Sequence, residues 1–248
     1  MPLMPFLGKA WLCIEIEEKN LFIWQIHRNS KCPEKMQFPI PAQAGWDAQA
    51  LADLINEPIP RGKVLILLNS TQIVLRLTED MDINYVFPIG EGFREDDYVF
   101  SHSLVGGMCL MAAIPNAIYK CLNDFCQIKK LRGMHLLDTI EHRLACYFGE
   151  MQKEPTWLLI HQESSVRLIV LNYGFPRALY LLSNDANFRV MELERILQCQ
   201  LPEDFPIHAM IFPNDLEWLC DFIEKKGIAK LEMPDIRTTL LHDWVKRL

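Results

Sequence analysis

The stretch TWLLIHQESSVRLIVLNYGFPRALYLLS, residues 156–183, decides the fold. Residues 157–161 are a short apolar run, residues 162–165 are polar, and residues 166–171 are rich in β-branched side chains. Asn172, Tyr173 and Gly174 make a tight reversal, after which residues 177–182 resume an apolar run. Strand, turn and strand with Asn and Gly at the reversal predict an antiparallel meander. The opening of the chain, AWLCIEIEEKNLFIWQIH at residues 10–27, has the same design. Two related halves, each starting in a β-meander and ending in helices, account for this similarity.

Between and after the meanders the pattern alternates strands with helices. Residues 36–40 read as a short strand. Residues 47–56 read as a helix that Asp47 caps, with Ala50, Leu51, Leu54 and Ile55 at helical spacing. Residues 63–68 (KVLILL) form a continuous apolar run, as expected of a strand covered on both faces. Residues 72–77 and 108–113 are further strands, and residues 78–97 are acidic and loop-like. A helix starts near Pro115 and runs to about Lys129. Residues 136–150 contain another helix, with Ile140, Leu144 and Tyr147 inward. Helices follow at residues 189–200, 216–226 and 238–247, the second capped by Asn214 or Asp215 and stopped at Gly227. Strands are expected at 208–212 and, as an edge, at 228–233. This mixture predicts an α/β fold.

The 248 residues carry a formal net charge of -7. That balance excludes a broad nucleic-acid surface, which needs clustered Lys and Arg. Lys129, Lys130, Arg132, Lys246 and Arg247 read as solvated surface. The first residues lack the basic and long apolar regions of a secretory leader, and no apolar run approaches the roughly 20 residues of a membrane helix. The eight cysteines include no CxxC pair. Cys13, Cys109 and Cys220 lie in apolar surroundings, as buried reduced thiols do, which points to the cytoplasm. No Cys/His cluster has metal-ligand spacing, so no metal site is expected.

Four segments together resemble one family. They are CIEIEEKNLFIWQI (13–26), MAAIPNAIYKCLNDFCQIKKL (111–131), TWLLIHQESSVRLIVLNYGFPRAL (156–179) and IHAMIFPNDLEWLCDFIEKKGIAKLEM (207–233). Their order resembles the actin-like ATPase superfamily, and within it the PilM-type pilus-assembly proteins and the cytoplasmic domain of the type II secretion L protein. The resemblance implies a two-lobed actin-like fold, a duplicated ribonuclease-H-like unit with mixed sheets flanked by helices. The first lobe would span residues 1–150, with a small inserted subdomain near 80–133, and the second residues 151–248. The hairpins at 13–26 and 156–179 stand where the family has its two phosphate hairpins, and residues 207–233 where it has the adenosine turn.

The chain departs from the family pattern at all three nucleotide elements. The first turn reads Glu17-Glu18-Lys19, without the glycine that lets backbone approach phosphate, and its two acids would repel a triphosphate. Ile160-His161-Gln162 replaces the Asp and Gly of the second hairpin. Phe212-Pro213-Asn214 fills the adenosine turn, where proline adds bulk and removes a donor. The expectation is therefore no catalytic residue, no bound cofactor and no metal. The resemblance implies a non-catalytic scaffold of a type IV pilus or type II secretion-like assembly. Its partner would be the cytoplasmic tail of an inner-membrane assembly protein, with the assembly motor ATPase as a second contact. The protein would meet the membrane only through such a partner, and a homodimer stays open. The alternative is an active ATP-binding ATPase with atypical phosphate loops, and a small-molecule sensor in the interlobe cleft is a third reading.

Individual candidates divide between chemistry and plainer roles. Glu15 reads as a polar residue on the open face of a hairpin, or as a relic of a metal-water ligand. His161 reads as a strand-end histidine rather than a general base. Ser164 and Ser165 lack a nucleophile turn. Gly106-Gly107 precedes a strand and makes no phosphate cradle, and Gly90 and Gly92 are isolated. Trp218, Leu219 and Phe222 read as a core helix. Arg177 matches an arginine often found after the family's second hairpin; it could hold a partner's carboxylate or sit in a surface ion pair. Partner binding is expected around residues 83–108, with Tyr85, Phe87 and Arg177 as the residues named for it.

Overall fold

The computed structural model describes residues 10–17, 19–27, 34–41, 46–55, 63–70, 72–79, 82, 86–87, 94–105, 107–131, 134–151, 153–162, 165–183, 185–202, 205–212 and 217–231. Two five-stranded sheets repeat one plan. In the first, β1 (Ala10–Glu17), β2 (Asn20–His27) and β3 (Glu34–Pro39) form an antiparallel meander. β4 (Lys63–Asn69) adds parallel to β1, and β8 (Met134–Thr139) adds parallel to β4. The order is β3-β2-β1-β4-β8. In the second sheet β9 (Thr156–Gln162), β10 (Ser165–Asn172) and β11 (Phe175–Leu182) form the meander. β12 (His208–Phe212) and β13 (Ala229–Lys230) continue it in parallel, giving β11-β10-β9-β12-β13. A third, antiparallel sheet has the order β5-β7-β6, from β5 (Val74–Thr78), β6 (Tyr98–Val105) and β7 (Met108–Pro115).

The helices follow from local sequence. Asp47 accepts from Ala50 N at 2.7 Å and starts α1 (Ala48–Leu54). α2 (Asn116–Ile128) begins after Pro115 and buries Ile118, Cys121, Leu122, Phe125 and Cys126, one stripe at helical period. α3 (Ile140–Met151) follows β8 directly. Asp185 caps α4 (Ala186–Cys199) through Asn187 N. α5 (Glu217–Lys225) ends at Gly227, whose φ of +71° suits a helix terminus.

Strand alternation builds the layers. On β1, Leu12, Ile14 and Ile16 face α1 and α2, packing on Leu51, Ile55, Ile118, Leu122 and Phe125. Cys13, from the other face, joins Leu65 and Leu67 of β4 in the core that the two large sheets share. There Leu144 and Phe148 of α3 meet Leu158, Ile160, Ile169, Leu171 and Met210 of the second sheet. The opposite face of the second sheet packs Trp157, Leu159 and Leu168 against Leu193, Leu219 and Phe222 of α4 and α5. Strands buried on both faces explain the near-continuous apolar runs read in 63–68 and 166–171.

Two strands differ from the sequence reading. β6 was not expected, because YVFSHSLV mixes Ser and His into its alternation. β8 occupies the start of the 136–150 stretch, whose helix begins only at Ile140. A short apolar run leading into a helix has no period of its own to separate it. The expected terminal helix at 238–247 and the caps Asn214 and Asp215 lie outside the described residues.

Candidate functional site

The C-terminal ends of β1, β4 and β8 lie side by side near Arg167 of β10, and polar side chains are buried there. Glu15 and Glu17 share one face of β1 at two-residue spacing. Glu17 pairs in register with Asn69, the last residue of β4, and Asn69 Nδ2 donates to Glu17 Oε1 at 3.3 Å. Glu15 is 1 % exposed and accepts from Trp24 Nε1 at 3.2 Å. Its expected place on an open hairpin face is therefore corrected: the second sheet and α3 cover that face. Ser70 follows β4 and is buried; its hydroxyl accepts from Gln72 N at 3.2 Å. Thr139 ends β8 opposite Leu68, and Glu141 is buried in the first turn of α3, where the helix dipole favours a carboxylate.

Arg167 closes this end from the second sheet. It is 4 % exposed on β10. Its Nη1 donates to Glu141, and its Nη2 donates to the carbonyls of Ser70 at 3.2 Å and Ile73 at 2.7 Å. The guanidinium spends these donors within the protein. An anion approaching this guanidinium would have to displace the Glu141 carboxylate from it. Among the described residues no group of three His, Cys, Asp or Glu could hold a metal ion.

The other expected positions are dispersed. His161 is half-buried on β9 opposite Val166, and Ser165 is buried opposite Gln162. Arg177 is exposed on β11, an edge strand of the second sheet. Phe87 is fully buried in the core of the small sheet, 5.3 Å from the Phe100 ring, with the Arg76 guanidinium over its face at 5.9 Å. It supports that sheet from inside and has no ring face for a partner. Gly107 turns the β6–β7 hairpin at φ +85°. Trp218 is half-buried with the Arg189 guanidinium 4.9 Å from its ring, while Leu219 and Phe222 are core. Tyr85, Ser164, Gly90, Gly92, Gly106 and residues 213–216 of the expected adenosine turn lie outside the described residues. Arg167, Glu141, Asn69 and Ser70 were not singled out from sequence. The available signal was Arg167 itself, a lone charge in the inward phase of a strand otherwise apolar at its centre, which demands a buried partner.

No family model and no curated protein matches the chain. Solved structures do. A Bacteroides thetaiotaomicron protein with an actin-like ATPase fold and unknown function superposes with a TM-score of 0.71 at 12% identity, covering 95% of this chain and 96% of that one. The fold is that of the actin-like ATPases. The cytoplasmic domain of EpsL, an inner-membrane component of the type II secretion system of Vibrio cholerae, shares the actin-like fold at a TM-score of 0.59 and 11% identity, over 96% of this chain and 95% of that one. A chain of the PilM–PilN type IV pilus biogenesis complex also matches at 0.59, with 14% identity over 92% and 93%. Among the described residues, no helix of this actin-like chain is long and apolar enough to cross a membrane.

Proposed function

We propose that this protein is a non-catalytic actin-like scaffold in a type IV pilus or type II secretion-like assembly, and that it binds the cytoplasmic tail of an inner-membrane partner. The observation that carries the non-catalytic part is the Arg167 guanidinium, buried beside the second hairpin and bonded to Glu141, Ser70 and Ile73. The chain itself supplies the cation there and directs it to its own carboxylate and carbonyls. The assembly part draws on the likeness to the EpsL cytoplasmic domain and to PilM. In this reading the first lobe is residues 1–150, with the inserted subdomain near 80–133, and the second is residues 151–248. The protein works in the cytoplasm and reaches the inner membrane through its partner. Exposed Arg177 on an edge strand suits a carboxylate on an extended peptide that adds to the sheet.

The test has two arms. A ligand that binds only the folded state must raise the melting temperature. Magnesium-ATP at millimolar concentration is expected to leave it unchanged, and a saturable rise overturns the non-catalytic reading. A peptide matching the cytoplasmic tail of a pilus- or secretion-type membrane protein encoded beside this gene is expected to bind. Neighbouring genes encoding only metabolic enzymes would count against the assembly role.

A further inference from the structure

We infer that Arg167 is a latch that holds the two large sheets together at the ends of their strands without a ligand, and also fixes the root of the small sheet. Among the described residues, the partners of its side chain lie on the far side of the junction. Glu141 lies in the first turn of α3, while Ser70 and Ile73 bracket the link from β4 to β5. Deeper between the sheets the joint is apolar, with Leu65, Leu158 and Ile169 in one cluster. At the level of Arg167, which pairs with Ile160, the buried polar residues Asn69, Ser70, Glu141 and Ser165 join the apolar ones. The Arg167 bonds are therefore made where the apolar joint gives way to polar side chains.

The link held by Arg167 is short, and Ile73 within it is also packed in the core that β1 shares with α1 and α2. Ile73 N donates to Ser70 O at 3.3 Å, and Gln72 N to Ser70 Oγ at 3.2 Å. β5 starts at Val74, immediately beyond. Releasing the guanidinium removes the bonds that tie to the second sheet the segment from which the small sheet departs. Opening between the large sheets and displacement of the small sheet thus become one event. The latch rests on its own geometry. Only the consequence that a partner on the small sheet would sense this opening rests on the function proposed above.

The experiment is amide hydrogen exchange on the full-length chain, without nucleotide, for wild type, Arg167→Met and the pair Arg167→Met/Glu141→Met. In Arg167→Met, the Gln72, Ile73 and Arg167 amides are expected to exchange about a hundredfold faster or more, since breaking a buried pair leaves an uncompensated charge. Amides of Leu12, Ile14 and Ile16 should keep their protection. The double variant also removes the buried Glu141 carboxylate that faced Arg167, so its melting temperature should return toward wild type while Gln72 and Ile73 stay fast. Equal acceleration throughout the chain, or no acceleration at Gln72 and Ile73, would overturn the latch. If the single variant fails to fold, the double variant decides: protection at Gln72 and Ile73 like wild type sinks the inference. Nucleotide binding by the wild type bears on the proposed function and leaves this ligand-free comparison standing.

Discussion

The indole of Trp24 donates to the buried carboxylate of Glu15 at 3.2 Å, diagonally across the β1–β2 ladder and within the core between the two large sheets. Cross-strand diagonals are within reach of a side chain as long as tryptophan. Replacing Trp24 by Phe keeps a ring but removes the donor. Leaving the acceptor short of a bond is expected to cost about 1–3 kcal/mol, read by urea unfolding. A loss within the error of the extrapolation would show that the bond contributes nothing.

The thiols of α2 should be inert at neutral pH. Burial, then Asp47 and Asp124, pushes Cys121 up to about 11 from the ordinary 9.0, and burial does the same to Cys126. The unfolded chain releases these protons first as pH rises. Stability from the raised thiols is therefore complete below pH 9.0 and lost as pH climbs toward about 11. Thermal melts should show that decline, and Cys121→Ala/Cys126→Ala should flatten it. Rapid iodoacetamide labelling of folded protein at neutral pH would contradict the assignment.

Ile160 and Leu181 are both apolar strand residues, yet truncation should separate them. Ile160 is fully buried in the joint between the sheets, and Leu181 is 62 % exposed. Ile160→Ala is expected to cost about 2–5 kcal/mol through lost contacts and a cavity. Leu181→Ser should stay within about 0.5 kcal/mol. Chemical denaturation of both variants measures the contrast.

The β10–β11 reversal uses two left-handed residues, Tyr173 at φ +51° and Gly174 at φ +82°. A two-residue hairpin turn of this hand favours Asn followed by Gly. Tyr173→Asn is therefore expected to raise the melting temperature. Gly174→Val should lower stability by about 1–2 kcal/mol, because a side chain crowds the carbonyl in that conformation. The opposite order of melting temperatures would refute the turn assignment.

Much of the architecture was legible because its causes are local. The meander at residues 156–183 announces itself through alternation and a turn, and Asp47 and Gly227 mark helix ends by capping chemistry. The weak spots were β6, whose Ser and His blur the alternation, and β8, too short to carry a period before its helix. Glu15 was misplaced for another reason. A charged residue on a hairpin looks solvent-facing until a second sheet covers it.

The sequence by itself determined the duplicated meanders, the mixed α/β layers and the absence of glycine from residues 17–19 and 162–165, since each depends on residues a few positions apart. Only the tertiary structure decided the surroundings of Arg167. Arg167 meets Glu141, Ser70 and Ile73 across separations of 26, 97 and 94 residues. No local pattern encodes those meetings, because the ends of strands in two sheets become neighbours only when the apolar faces behind them have packed.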